Sequence, residues 1–114
     1  MPYNYNFRVL AVSYNCLSTY QYIGIDEAEE MFRKLEADDE YESVQIHPIK
    51  HNTDPMRADY EYRLFDIVNL FNQVGMVLCA SDQDEPEFHG FRPTVEECLD
   101  YVDNYYYEKE LEEK

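Results

Sequence analysis

The chain has 114 residues and carries 25 Asp and Glu against 9 Lys and Arg, a formal net charge of -16. That balance disfavours direct binding to DNA, RNA or an anionic membrane surface, which all select Lys and Arg, and makes a basic protein the natural complement. No run approaches the ~18–20 apolar residues of a membrane span, no basic segment leads into a long apolar stretch at the N-terminus, and the 3 cysteines form no CxxC pair, so a reduced, cytoplasmic protein is expected.

In chain order, Phe7 to Tyr14 is rich in β-formers around an apolar centre at Val9–Val12 and predicts a strand. A turn over Asn15–Ser18 and a second strand over Thr19 to Ile25 make a hairpin. Asp26 to Ala37 predicts a helix: Asp26 and Glu29 have the spacing of a capping box, and Ala28, Met31, Phe32 and Leu35 form one apolar stripe. Tyr41 to Ile49 reads as a strand with Val44 and Ile46 on one face. Asp54 as cap, Pro55 in the first turn and the stripe Leu64, Ile67, Val68, Phe71 and Val74 predict a longer helix stopped at Gly75. Met76 to Ser81 predicts an internal strand, and an acidic loop follows from Asp82. Thr94 and Glu97 open a last helix with Val95, Cys98, Leu99, Val102 and Tyr106 facing inward. The expectation is an α+β fold of order ββαβαβα: a mixed, mostly antiparallel sheet with about three helices in one domain over residues 1–107, and a fraying acidic tail over 108–114.

The charge is unevenly placed. Residues 1–25 hold no acid and one base, Arg8, whereas residues 82–114 hold twelve acids against three bases. On the last helix Glu96, Asp100, Asp103, Tyr107 and Glu110 recur at three- and four-residue steps, which predicts a row of carboxylates with about 5–6 Å between neighbours. Successive phosphates of a nucleic-acid strand advance on a comparable scale. Glu27 and Glu30 belong to a second acidic patch on the first helix. The N-terminal hairpin is different in kind: Tyr3, Tyr5, Tyr14, Tyr20 and Tyr22 with Asn4, Asn6 and Asn15 suit a protein interface or a homodimer seam, the alternative being that half of these rings cover the core.

Catalytic and metal signals are sparse. His47 and His51 are four apart, but Pro48 lies between them in a strand and loop, so the zinc arrangement of two imidazoles on one helical face is not met. Asp82 and Asp84 have the opening spacing of a calcium loop, yet Pro86 occupies the third ligand position. Cys79 and Cys98 read as core thiols; Cys16 in the turn is the exposed one, and a nucleophile built from Cys16 and His89 has no local support. With 3 glycines in all, no phosphate-cradling loop is present. No metal, no cofactor and no enzyme activity are expected.

In bulk character the chain resembles the small acidic inhibitors encoded by phages and plasmids, the antirestriction and anti-CRISPR proteins, some of which imitate DNA with carboxylates. The stretch Ile25–Lys50, with its Ile-Asp-Glu-Ala-Glu-Glu opening and the later Asp-Glu-Tyr-Glu-Ser-Val-Gln-Ile-His, is similar to the N-terminal module of ArdA-type antirestriction proteins. The tryptophan and glycine pattern of that module is missing, and no functional residue is carried across. The expected function is an acidic inhibitor that engages a basic, nucleic-acid-binding protein by DNA mimicry through Glu27, Glu30, Glu96, Asp100, Asp103 and Glu110. The alternative is a non-catalytic adaptor or structural protein that self-associates through Tyr20 and Tyr22. A third reading is a small enzyme with a site assembled across the fold.

Overall fold

A computed structural model describes residues 4–14, 16–54, 56–70, 72–78 and 86–113. The fold is α+β, and the chain divides into two compact units, Met1–Ile49 and Lys50–Lys114.

In the first unit, strands β1 (Phe7–Ser13), β2 (Cys16–Tyr22) and β3 (Tyr41–Pro48) form an antiparallel sheet of order β2-β1-β3. The hairpin turn is tighter than expected: Ser13 pairs with Cys16, so β2 begins three residues early. Helix α1 (Ile25–Glu36) crosses one face of this sheet. Its stripe is as expected, with Ala28 and Leu35 buried against Val9 and Ala11, and Met31 and Phe32 closing over them. Val44 and Ile46 pack onto the same cluster. The capping box is not formed. Gly24 is the N-cap and makes no side-chain cap, while Glu29 pairs with Arg33 one turn on, at 3.4 Å. Asp26 sits inside the first turn, where its charge favours the helix dipole without capping a backbone N–H.

The second unit is an antiparallel meander, β4 (Lys50–His51), β5 (Tyr60–Tyr62), β6 (Phe65–Asn69), β7 (Val74–Leu78) and β8 (Glu87–Arg92), in that spatial order, with helix α2 (Val95–Glu113) packed on β6, β7 and β8. Among the described residues, the strand pairings in both sheets are all antiparallel. Among the described residues the helix expected over 54–75 does not form, and two helices stand where about three were expected. Alternation wins there over the helical stripe. Tyr60, Tyr62, Phe65 and Ile67 are buried at every second position on either side of a turn, and aromatic and β-branched residues favour a pleated surface. Leu64, which the helical stripe would have buried, is 63% exposed at the tip of that turn. Asp54 caps a turn, its Oδ1 accepting the Met56 N–H at 2.9 Å. Gly75 lies inside β7, where a Cβ would meet the Phe91 ring at 3.3 Å, and so it ends no helix. Pro55 and Phe71 lie outside the described residues.

The internal strand is β7, which starts two residues earlier than expected; β8 is an element that sequence reasoning missed. Residues 108–113 continue α2 instead of forming a separate tail. No helix among the described residues is long and apolar enough to cross a membrane.

Candidate acidic interface

Helix α2 carries four of the six acids expected to bind a partner. Thr94 starts it as expected, its hydroxyl accepting the Glu97 N–H at 3.2 Å. Val95, Cys98, Leu99 and Val102 are buried beneath the helix. At 100° per residue, the direction opposite that stripe is occupied by Glu97, Asp100, Asn104, Glu108 and the exposed Leu111. Glu96, Glu97, Glu108 and Glu110 are exposed and Asp100 is half-buried. From Glu97 to Glu108 the row extends about 16 Å at 1.5 Å per residue. The last turn holds no basic residue, in contrast to α1, where Arg33 and Lys34 close the helix. Acids at the C-terminal end oppose the helix dipole, so their presence there does nothing for helix stability.

Asp103 does not belong to the outward row. It is 1% exposed: it lies at the edge of the inward stripe of Leu99, Val102 and Tyr106, where Tyr62 and Arg63 enclose it. Its Oδ1 accepts the Tyr62 hydroxyl at 2.8 Å and an Arg63 N–H at 3.0 Å. The Tyr106 hydroxyl donates to the Arg63 carbonyl at 2.6 Å, and the Arg63 guanidinium lies 4.4 Å from the centre of the Tyr106 ring. Burial pushes the Tyr106 phenol above its ordinary pKa, and the Arg63 charge opposes that shift. This network holds the β5–β6 turn, where Arg63 and Leu64 are both left-handed (φ 47° and 72°). Such a turn matches the twist of a hairpin but strains residues other than glycine and asparagine.

Three cations of this unit lie over tyrosine rings of α2: Arg63 over Tyr106, Arg92 over Tyr101 at 4.9 Å, and Lys109 over Tyr105 at 4.9 Å. Ring faces attract cations by quadrupole rather than by net charge, and Arg63 in addition pairs with the Asp103 carboxylate.

In the first unit Glu27 and Glu30 are exposed, and they line an open groove together with Tyr22, Met31 and Lys34. Burial raises the Tyr22 phenol, and the Tyr20 phenol and the two carboxylates add to the shift. Tyr20 and Tyr22 are half-buried. Tyr20 stands opposite Val9 in the ladder and Tyr22 opposite Phe7, so both point to the α1 side, and both pack against the core there. Tyr20 also bonds Tyr41, and that bond is the largest cause raising the Tyr41 phenol. Among the expected surface tyrosines, Tyr14 is 83% exposed; Tyr3 and Asn15 lie outside the described residues.

Cys98 is buried, its thiol pushed up to about 11 by desolvation, which suits an inert core cysteine. Cys16 is exposed at the start of β2. Cys79, Asp82 and Asp84 lie outside the described residues. His47 bonds Gln45 at 2.8 Å within β3, and the His51 ring meets the Tyr60 ring edge-on at 5.0 Å. His89, on β8, bonds the Tyr101 hydroxyl through Nδ1 at 2.7 Å. Among the described residues no group of three or more His, Cys, Asp or Glu side chains could hold a metal ion. Comparison with family models, with curated proteins and with solved structures gives no match.

Proposed function

We propose that this chain is an acidic binding protein that engages a basic, nucleic-acid-binding partner and blocks it by imitating a phosphate backbone, in the manner of antirestriction and anti-CRISPR inhibitors. The observation that carries this reading is the outward row Glu97, Asp100, Asn104 and Glu108 on α2, with the exposed Glu96 beside it; Glu110, seven residues after Asp103, is exposed on another side of the helix. Its supports are physical. A helix fixes the pitch of the row, and acids continue to the C-terminal end of α2, where the dipole disfavours them. Nearby cations are held on aromatic rings. Glu27 and Glu30 supply a second acidic patch, on α1. Asp103 is left out of the binding face; its carboxylate belongs to the fold.

The test is a pull-down from nuclease-treated bacterial lysate, eluted in steps of salt, with the triple variant Glu97→Lys, Asp100→Lys, Glu108→Lys alongside. The expected result is one nucleic-acid-binding protein, released at moderate salt, competed off by added DNA and not retained by the variant. Equal retention by the variant, or partners indifferent to DNA and salt, would overturn the reading.

A further inference from the structure

The groove beside helix α1 combines carboxylates with an aromatic ring. It is open, has a volume of about 270 Å³, and is lined by Tyr22 at the end of β2 and by Glu27, Glu30, Met31 and Lys34 of α1. Those four positions are i, i+3, i+4 and i+7, one face of the helix. Tyr22 stands at the last position of its strand, on the side of the sheet that α1 covers. The phenol ring and the Met31 thioether are half-buried, whereas the two carboxylates and the Lys34 ammonium are exposed. The lining is therefore apolar where it meets the core and charged where it meets water. Burial and the Tyr20 phenol raise the Tyr22 pKa, and Glu27 and Glu30 add to the shift, so both carboxylates lie within electrostatic range of the ring. Among the described residues no ion pair engages Glu27 or Glu30, while Glu29 on the same helix is taken by Arg33.

We propose that this groove receives the guanidinium of one arginine side chain of the basic partner, an assignment that rests on reading the chain as an acidic binding protein. Size argues for a single side chain. Sites for drug-sized molecules run from about 300 to 1,000 Å³ and enclose most of the ligand, whereas this groove is smaller and open. Charge selects a cation, since two carboxylates stand against one ammonium. A hard metal ion such as calcium takes about six to eight oxygen ligands, and a ring and a thioether do not supply them. An organic cation uses both: a guanidinium lies on a phenol face, and the aliphatic stem behind it covers an apolar side chain such as Met31. The spacing of the acids favours arginine over lysine. Glu27 and Glu30 are three residues apart, with about 5–6 Å between their Cβ atoms. A rigid fork of five N–H donors can engage both, whereas an ammonium is a compact, strongly hydrated charge. The protein itself makes this combination elsewhere: the Arg63 guanidinium lies 4.4 Å from the centre of the Tyr106 ring and donates to Asp103 at 3.0 Å. Lys34 is a like charge at the end of the groove and opposes the incoming cation.

The test is a titration of the whole chain with N-acetyl-arginine amide, read by NMR at the Met31 methyl and Tyr22 ring signals, with the neutral citrulline and the lysine counterparts alongside. The arginine compound should give a saturable shift at both signals, the lysine compound a weaker one and the citrulline compound none. The double variant Glu27→Gln, Glu30→Gln should bind the arginine compound roughly three- to tenfold more weakly, and Lys34→Gln roughly two- to threefold more tightly, the scale of exposed ion pairs. All three side chains are exposed, and changes of opposite sign do not come from a damaged fold. Absence of a saturable shift, an equal response to citrulline, a stronger response to lysine, or unchanged affinity in the double variant would each sink the assignment. It fails separately from the mimicry reading. Capture of a basic protein through the α2 row with an inert groove removes only the guanidinium site, and a groove that binds arginine while the α2 variant still captures its partner removes only the mimicry.

Discussion

Among the residues of α2, Asp103 and Asp100 show how far three positions can separate two identical side chains. Asp100 is half-buried, while Asp103 is enclosed by Tyr62 and Arg63. Removing one member of a buried ion pair strands the other, and Arg63 is itself only 13% exposed. Asp103→Asn is therefore expected to lower unfolding stability by about 3–5 kcal/mol, against about 0.5 kcal/mol or less for Asp100→Asn, measured by denaturant midpoints at matched slopes. Similar losses for both would mean that the network contributes little. The same contrast governs any charge-reversal experiment. Asp103→Lys is expected to unfold the unit, so the informative reversals for the proposed binding are at Glu97, Asp100 and Glu108.

Element by element, the β5–β6 hairpin is where local preference and tertiary demand disagree. Two-residue hairpin turns with both central φ values positive are the province of Asn-Gly and Asp-Gly, yet here the residues are Arg63 and Leu64. A left-handed non-glycine residue costs roughly 1–2 kcal/mol. Arg63 is held by the bonds of its guanidinium and carbonyl to α2; Leu64 is largely exposed and has no comparable hold. Leu64→Gly should thus remove the strain at a smaller penalty in chain entropy, about 0.5–1 kcal/mol, and raise the thermal midpoint. A lower midpoint would mean that the exposed leucine contributes packing worth more than its strain.

At the scale of the whole molecule, the net charge of -16 governs how stability responds to salt. Like charges repel in the compact state more than in the unfolded one, and added salt shortens the reach of that repulsion from about 30 Å at 0.01 M to about 8 Å at 0.15 M. The thermal midpoint should therefore rise across that range in an inert salt such as NaCl. Capture of a basic partner should weaken across the same range, since there the charges attract. A midpoint that falls with salt would mean that local ion pairs such as Lys50–Glu61 (3.3 Å) outweigh the global repulsion.

Where a segment carried one clear period, its element was legible from the residues alone. The stripe Ala28–Met31–Phe32–Leu35 was enough for α1, the β-rich run at Val9–Val12 for β1, and Thr94 for the start of α2, because each satisfies a local rule that no distant contact contradicts. Residues 54–75 carried two periods at once, and β8 carried a glycine within a run of only six residues. Their fate depended on which neighbours arrived to bury them: β5, β6 and β7 are strands because Tyr60, Tyr62, Phe65, Ile67 and Met76 together make a face for α2. The acidity of α2 was equally plain in the sequence, but not which acids face solvent. A helical wheel places Asp103 at the edge of the apolar stripe, and only the approach of Tyr62 and Arg63, forty-one and forty residues earlier in the chain, turned that edge inward. His89 is the same case. Nothing within a few residues of it announces Tyr101 or the ring of Phe65, because side-chain networks are assembled by tertiary packing, while sequence periodicity records only the local geometry of the backbone.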